Sequence, residues 1–138
     1  MPGCEWVEAD AQSLPFRDNT FEALSISYGV RNLPSPEVGL AEMLRVAKNG
    51  ATLGVLEFGQ PNNIVWRKVF SFYSRYAIPA IGKLVSGNKE AYSYLPKTSA
   101  AFPCGADFES LLTRAGWTPS LTMSLCGGVA FIYLATKT

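Results

Sequence analysis

The chain contains no histidine. That removes the commonest general base and a usual zinc ligand. Cysteine is scarce as well: Cys4, Cys104 and Cys126 lie far apart and form no C-x-x-C pair. A structural zinc site therefore has no support, no metal is expected, and a reducing compartment fits better than secretion. No apolar run approaches about 18 residues, so no transmembrane helix is expected. The opening MPGCEWVEAD lacks a charged segment followed by an apolar one, so it does not read as a secretory signal. The formal net charge is +1, which gives no whole-chain argument for a polyanion, and nucleic acid is not an expected partner. Acid–base chemistry must then use carboxylates, tyrosines, a cysteine, water or groups on a substrate.

What is present is a globular composition. The chain has 138 residues, 48% hydrophobic and 17% charged, enough for one core. Its organising stretch is Leu24–Asn32, LSISYGVRN. An apolar, β-favouring run there ends in Gly-Val-Arg-Asn. In open α/β sheets, ligands sit past the carboxyl ends of the strands. Ser27, Tyr28, Arg31 and Asn32 are thus placed where chemistry usually happens; a core strand running into a plain loop is the competing reading.

In chain order, Cys4–Ala9 reads as a short strand centred on Trp6 and Val7, followed by Asp10, Ala11 and Gln12. Leu14–Thr20 is a loop with an Asp-Asn turn. Phe21 leads into the strand Ala23–Tyr28. Ser35 then suits an N-cap, Pro36 the first helical position and Glu37 the positive helix end. Leu40, Met43, Leu44 and Ala47 fall on one helical face, and Asn49-Gly50 stops the helix. Ala51–Phe58 is a further strand, so strand, helix, strand predicts a parallel pair. Arg31 and Glu57 should then share a sheet edge. Residues 64–85 read as a helix with an apolar face, broken at Pro79. Basic residues at 67, 68, 75, 83 and 89 interleave with its aromatics. Residues 64–90 are therefore either a membrane-surface contact or a packed helix with a solvated face. Asn88–Ala101, which includes Tyr94, reads as a short helix or lid-like segment. Asp107 caps a helix carrying Phe108, Leu111, Leu112 and Ala115. Trp117–Leu125 alternates as a half-buried strand, with Pro119 favouring an edge. Gly127-Gly128 turns the chain into a last strand, Val129–Ala135, which makes an antiparallel hairpin.

Together with this pattern, DAQSLPFRDNTF, SISYGVRN, EMLRVAKNG, LEF and YSYL make a specific match. The chain resembles the C-terminal part of the ubiquinone/menaquinone biosynthesis C-methyltransferases, in register over nearly its whole length. The resemblance implies an α/β, class I (Rossmann-like) fold. Residues 1–138 would be the C-terminal portion of a single methyltransferase domain, with parallel strands and the terminal hairpin. It implies S-adenosylmethionine as cofactor and a ring carbon of a polyprenyl benzoquinol or naphthoquinol as acceptor. By position, Asp10 and Ala11 would hold the adenine and Ser27 the methionine end. Arg31 and Asn32 would be catalytic, facing the quinol ring, with Tyr28, Glu57 and Tyr94 on the substrate side. Glu57 would orient Arg31, meet positive charge near the sulfonium, or simply be a satisfied ion-pair partner. Tyr94 would serve the lid or only pack.

The resemblance also implies a homodimer or membership of a quinone-synthesising complex. The location would be the matrix face of the inner mitochondrial membrane in a eukaryote, or the cytoplasm in a bacterium. Two departures matter. No G-x-G-x-x-G loop precedes Cys4, so the chain opens at the family's third strand and is expected by itself to bind the cofactor poorly. Tyr133 stands where the family usually places a histidine. Two other readings stay open: a non-catalytic subunit of a quinone-synthesising complex, or a class I methyltransferase with another acceptor.

Overall fold

In chain order the computed structural model runs β1 (Phe21–Ser27), a single 3-10 turn (Val30–Asn32), α1 (Pro36–Val46), β2 (Ala47–Phe58) and α2 (Ile64–Phe72). It continues with α3 (Ala106–Arg114), β3 (Thr118–Leu125), a second 3-10 turn (Cys126–Gly128) and β4 (Ala130–Thr136). The structure describes residues 3–61, 63–73, 76 and 102–138. The expected kink at Pro79, the lid-like segment 88–101 and Tyr94 lie outside them.

The strands form one sheet in the order β1-β2-β4-β3. β1 runs parallel to β2, from Ala23 beside Thr52 to Ser27 beside Leu56. β4 pairs antiparallel with both β2 and β3. This is the expected parallel unit followed by a terminal hairpin. Along β2 the buried residues alternate: Ala51, Leu53, Val55 and Glu57. They face the same side as the apolar stripes of α1 and α3. Leu40 and Met43 from α1 join Phe108, Leu111 and Leu112 from α3, and Ala115 just after it, in one cluster with Phe131, Tyr133 and Ala135 of β4. Trp117, 1% exposed, closes the core and donates its indole N–H to the Leu40 carbonyl at 2.9 Å.

Four local expectations are corrected. Cys4–Ala9 is not a strand: it has no ladder partner among the described residues, and Trp6 is 91% exposed. With no neighbouring edge to pair with, its backbone groups bond to water instead and it stays irregular. α1 ends at Val46, earlier than Asn49-Gly50 suggested, and Ala47 already pairs with Phe21. Gly50, at φ +79, then sits in a bulge within β2, where a left-handed backbone favours glycine. α3 starts after Gly105, with Asp107 inside its first turn rather than capping it. In β3 the register shifts between Pro119 and Leu121. Proline has no N–H for the ladder, and a bulge turns the residues beyond it over. Leu121 and Met123, expected inward, are 43% and 47% exposed.

The C-terminal end of α1 is held by a residue from far along the chain. The Lys137 ammonium donates to the carbonyls of Leu44 at 2.9 Å and Ala47 at 2.7 Å, and to Asn19 Oδ1 at 3.0 Å. A cation suits the negative helix end and satisfies carbonyls that the helix leaves open. Lys137→Met is expected to lower stability by about 1–2 kcal/mol in a urea melt. An unchanged midpoint would show that water replaces the ammonium at no cost.

Candidate active site

The carboxyl ends of β1 and β2 build a small polar centre. β1 continues its ladder by one bond, Tyr28 N to Leu56 O at 2.8 Å. Tyr28 then turns at φ +53, a left-handed conformation that costs a bulky residue energy. The 3-10 turn follows, with Val30 wholly buried as its anchor. Two side chains converge on the Tyr28 carbonyl: Arg31 Nη1 donates at 2.8 Å and Asn32 Nδ2 at 3.2 Å. Both residues expected to be catalytic thus also hold the strained turn.

Glu57 completes the centre. It is 1% exposed. Its Oε1 accepts from Arg31 Nη1 at 2.6 Å and from Phe58 N at 2.9 Å. The Arg31 backbone N–H reaches Oε2 at 3.4 Å, near the limit for a hydrogen bond. Arg31 is itself buried, its side chain 6% exposed. Its Cζ lies 4.8 Å from the centre of the Phe58 ring and 5.9 Å from that of Tyr28. These rings pack 4.4 Å apart. Arg31 Nε is buried and has no hydrogen-bond partner among the described residues. The shared edge expected for Arg31 and Glu57 is therefore present, as a direct ion pair.

The residues expected to hold a cofactor lie nearby and open to solvent. Asp10 makes a turn in which its Oδ1 accepts from Gln12 N at 2.9 Å and its carbonyl from Ser13 N at 2.9 Å. Gln12 Oε1 in turn accepts from Ser35 N at 2.9 Å. That bond ties the Asp10-Ala11 turn to the start of α1, at the same end of the sheet as Arg31. Ser35 occupies the N-cap position, but its side chain makes no capping bond. Ser27 is exposed at the last position of β1. An exposed carboxylate at residue 10 and a hydroxyl at residue 27 are acceptors of the kind that an adenine amine and a methionine ammonium require. The residues present thus fit S-adenosylmethionine in chemistry.

The sequence reading overlooked the clamp behind this turn. Arg45 on α1 donates to the carbonyls of Phe16 at 2.9 Å and Leu14 at 3.1 Å, and pairs with Asp18 and Glu42. Glu42 Oε1 accepts from Leu14 N at 2.8 Å. The Leu-Pro-Phe-Arg-Asp-Asn loop is thereby pinned to α1. The only signal was that DAQSLPFRDNTF and EMLRVAKNG occur together; nothing local links them. The Arg45 hydrogen bonds hold Glu42 below the usual carboxylate range. Its stabilising contribution is complete above pH 4.5 and is lost as the pH falls through the lowered value. Acid titration followed by exchange of the Leu14 amide should show this loop loosening below pH 4.5 and not above it.

Tyr133 is a core residue. It is 1% exposed, its ring packs 4.4 Å from that of Phe108, and its hydroxyl accepts from Gly105 N at 2.8 Å. Burial pushes the phenol up to about 12, so it stays neutral and anchors the start of α3.

Comparison with known proteins agrees with this architecture. A model of the ubiE/COQ5 methyltransferase family matches residues 2–137. The chain is 45% identical over 130 residues to a ubiquinone/menaquinone biosynthesis C-methyltransferase of Bdellovibrio bacteriovorus, covering 94% of this chain and 55% of that protein. It is 40% identical over 132 residues to a demethylmenaquinone methyltransferase of Bacteroides fragilis, covering 96% and 54%. The chain thus spans about half the length of the curated relatives it matches. A solved SAM-dependent methyltransferase from Aquifex aeolicus superposes with a TM-score of 0.64, over 97% of this chain and 55% of that one. At 17% identity, that likeness speaks to the fold alone.

Proposed function

The chain belongs to the ubiE/COQ5 methyltransferase family, and on that premise we propose that the protein carrying it methylates a ring carbon of a polyprenyl benzoquinol or naphthoquinol. The observation that carries the reading is Arg31. Its guanidinium is buried and pinned at Nη1 by Glu57 and the Tyr28 carbonyl, while its buried Nε–H has no partner among the described residues. A donor so placed beside two aromatic rings suits the oxygen of an aromatic acceptor. S-adenosylmethionine, when bound, supplies an electrophilic methyl group. Asp10 and Ala11 would hold its adenine, and Ser27 its methionine end.

The ring carbon becomes nucleophilic as the neighbouring hydroxyl loses its proton. A fixed N–H donor at that oxygen stabilises the negative charge that develops. Arg31 is too basic to remove the proton, so a water held by Arg31 or Asn32 takes it. Tyr28, packed at a tilt against Phe58, gives the acceptor ring an aromatic wall. Tyr94 would add to the substrate side. Much of the acceleration then comes from positioning and exclusion of bulk water.

An acceptor with a polyprenyl tail also gives α2 a use. Ile64, Val65, Val69 and Phe72 are each more than half exposed, with Arg67 and Lys68 on the same helix. A largely apolar face with Lys68 within it and Arg67 to one side suits a membrane surface. The proposed setting is the bacterial cytoplasm, or the matrix face of the inner mitochondrial membrane in a eukaryote. The working form would be a homodimer or part of a quinone-synthesising complex. The test is transfer of labelled methyl from S-adenosylmethionine to short-tailed demethylated quinols by the protein carrying this chain. Labelled product with the methyl on the ring is expected. No transfer to any quinol, with transfer to another acceptor, would overturn the reading.

A further inference from the structure

We propose that Glu57 is a positioning residue for this reaction: its carboxylate fixes the Arg31 guanidinium and cancels its charge, so that the acceptor meets an oriented donor without a net cation. The proposal rests on the quinol-methylation reading above. Three observations carry it. Glu57 lies on a core strand, held in register opposite Phe131, and is 1% exposed. Both of its oxygens are engaged by Arg31, the side chain at 2.6 Å and the backbone at 3.4 Å, and Phe58 N adds a third donor. Arg31 nevertheless keeps a buried Nε–H without a partner among the described residues. A buried ion pair is weak evidence for stability, because desolvation offsets most of its attraction. Here it takes up Nη1 and leaves the Nε–H as a donor to give.

Among the described residues, the groups that face the Glu57 carboxylate are Arg31, with Tyr28 beside it, from the β1–α1 connection, and Tyr133 from β4. Tyr133 stays neutral well above the working range. Arg31 is then the cation whose charge Glu57 balances.

The experiment is the pH profile of kcat in the protein carrying this chain, normalised to sites that bind S-adenosylhomocysteine. Glu57→Gln keeps the size and one acceptor but leaves the guanidinium uncompensated. The acceptor hydroxyl should ionise more readily, and the acid limb should move down by about one pH unit or more. Glu57→Asp keeps the charge but withdraws the carboxylate. It should leave the limb in place and lower kcat about tenfold or more, with KM for S-adenosylmethionine nearly unchanged. A Glu57→Gln limb coincident with the wild type overturns the proposal. So does a Glu57→Asp protein with full kcat, and that arm decides the matter if the glutamine variant does not fold. Failure of the underlying reading looks different: the wild type itself would transfer no methyl to a quinol.

Discussion

Arg31→Ala should lower stability by about 3–5 kcal/mol, because it leaves the Glu57 carboxylate buried without its counter-charge. The partner ammonium or guanidinium cannot come from elsewhere in the described structure: Glu57 is 1% exposed, and its remaining donors are backbone N–H groups of residues 31 and 58. The same substitution removes the Nη1 bond to the Tyr28 carbonyl, so the left-handed turn loses one of its two side-chain supports. Replacing both partners at once, Arg31→Met with Glu57→Leu, should restore stability to within about 1 kcal/mol of the wild type or better. Urea denaturation of the three proteins measures this directly. A loss under about 1 kcal/mol for the single variant would mean that water reaches Glu57 freely. Turnover should separate from stability. Neither variant offers a donor to the acceptor oxygen, so both should lose on the order of a hundredfold in kcat. Cofactor affinity should change little, because Asp10, Ala11 and Ser27 are untouched. A variant that lost only cofactor affinity would move Arg31 out of the acceptor site.

Trp117→Ala should be about as costly, near 3–5 kcal/mol, for a different reason. The indole is 1% exposed and belongs to the core in which α1 and α3 meet the sheet. Its removal opens a cavity that these elements cannot close without shifting. Trp117→Phe separates packing from hydrogen bonding. It keeps much of the apolar contact but loses the N–H bond to Leu40. The Leu40 carbonyl keeps its partner within α1, so the loss beyond packing should be only about 1 kcal/mol. Equal losses for the two variants would assign the residue's contribution to its hydrogen bond rather than to its volume.

The legible part of this chain was whatever rests on local periodicity and local turn chemistry. The apolar spacing of Leu40, Met43 and Leu44 announced α1, and that of Phe108, Leu111 and Leu112 announced α3. Strand, helix, strand implied the parallel pair, and Gly127-Gly128 the final hairpin. Placing Arg31 and Glu57 at one edge followed from that topology alone, since both stand just past or at the end of neighbouring parallel strands.

What sequence could not decide was anything set by register or by a partner far along the chain. Cys4–Ala9 has strand-like residues, but a strand exists only where a neighbouring edge takes its hydrogen bonds. The alternation from Trp117 to Leu125 was real, yet one bulge beside Pro119 reversed which residues face outward. Arg45 reaches back to Leu14, Phe16 and Asp18, and Lys137 reaches Leu44 and Ala47, through contacts that no local pattern encodes. The sequence by itself thus determined the order and kind of the elements, because those depend on neighbours a few residues away. Only the tertiary structure decided that the Arg31 guanidinium is buried, charge-balanced and left with an unpartnered Nε–H among the described residues. That outcome depends on where a carboxylate 26 residues later is carried by the pairing of β1 with β2.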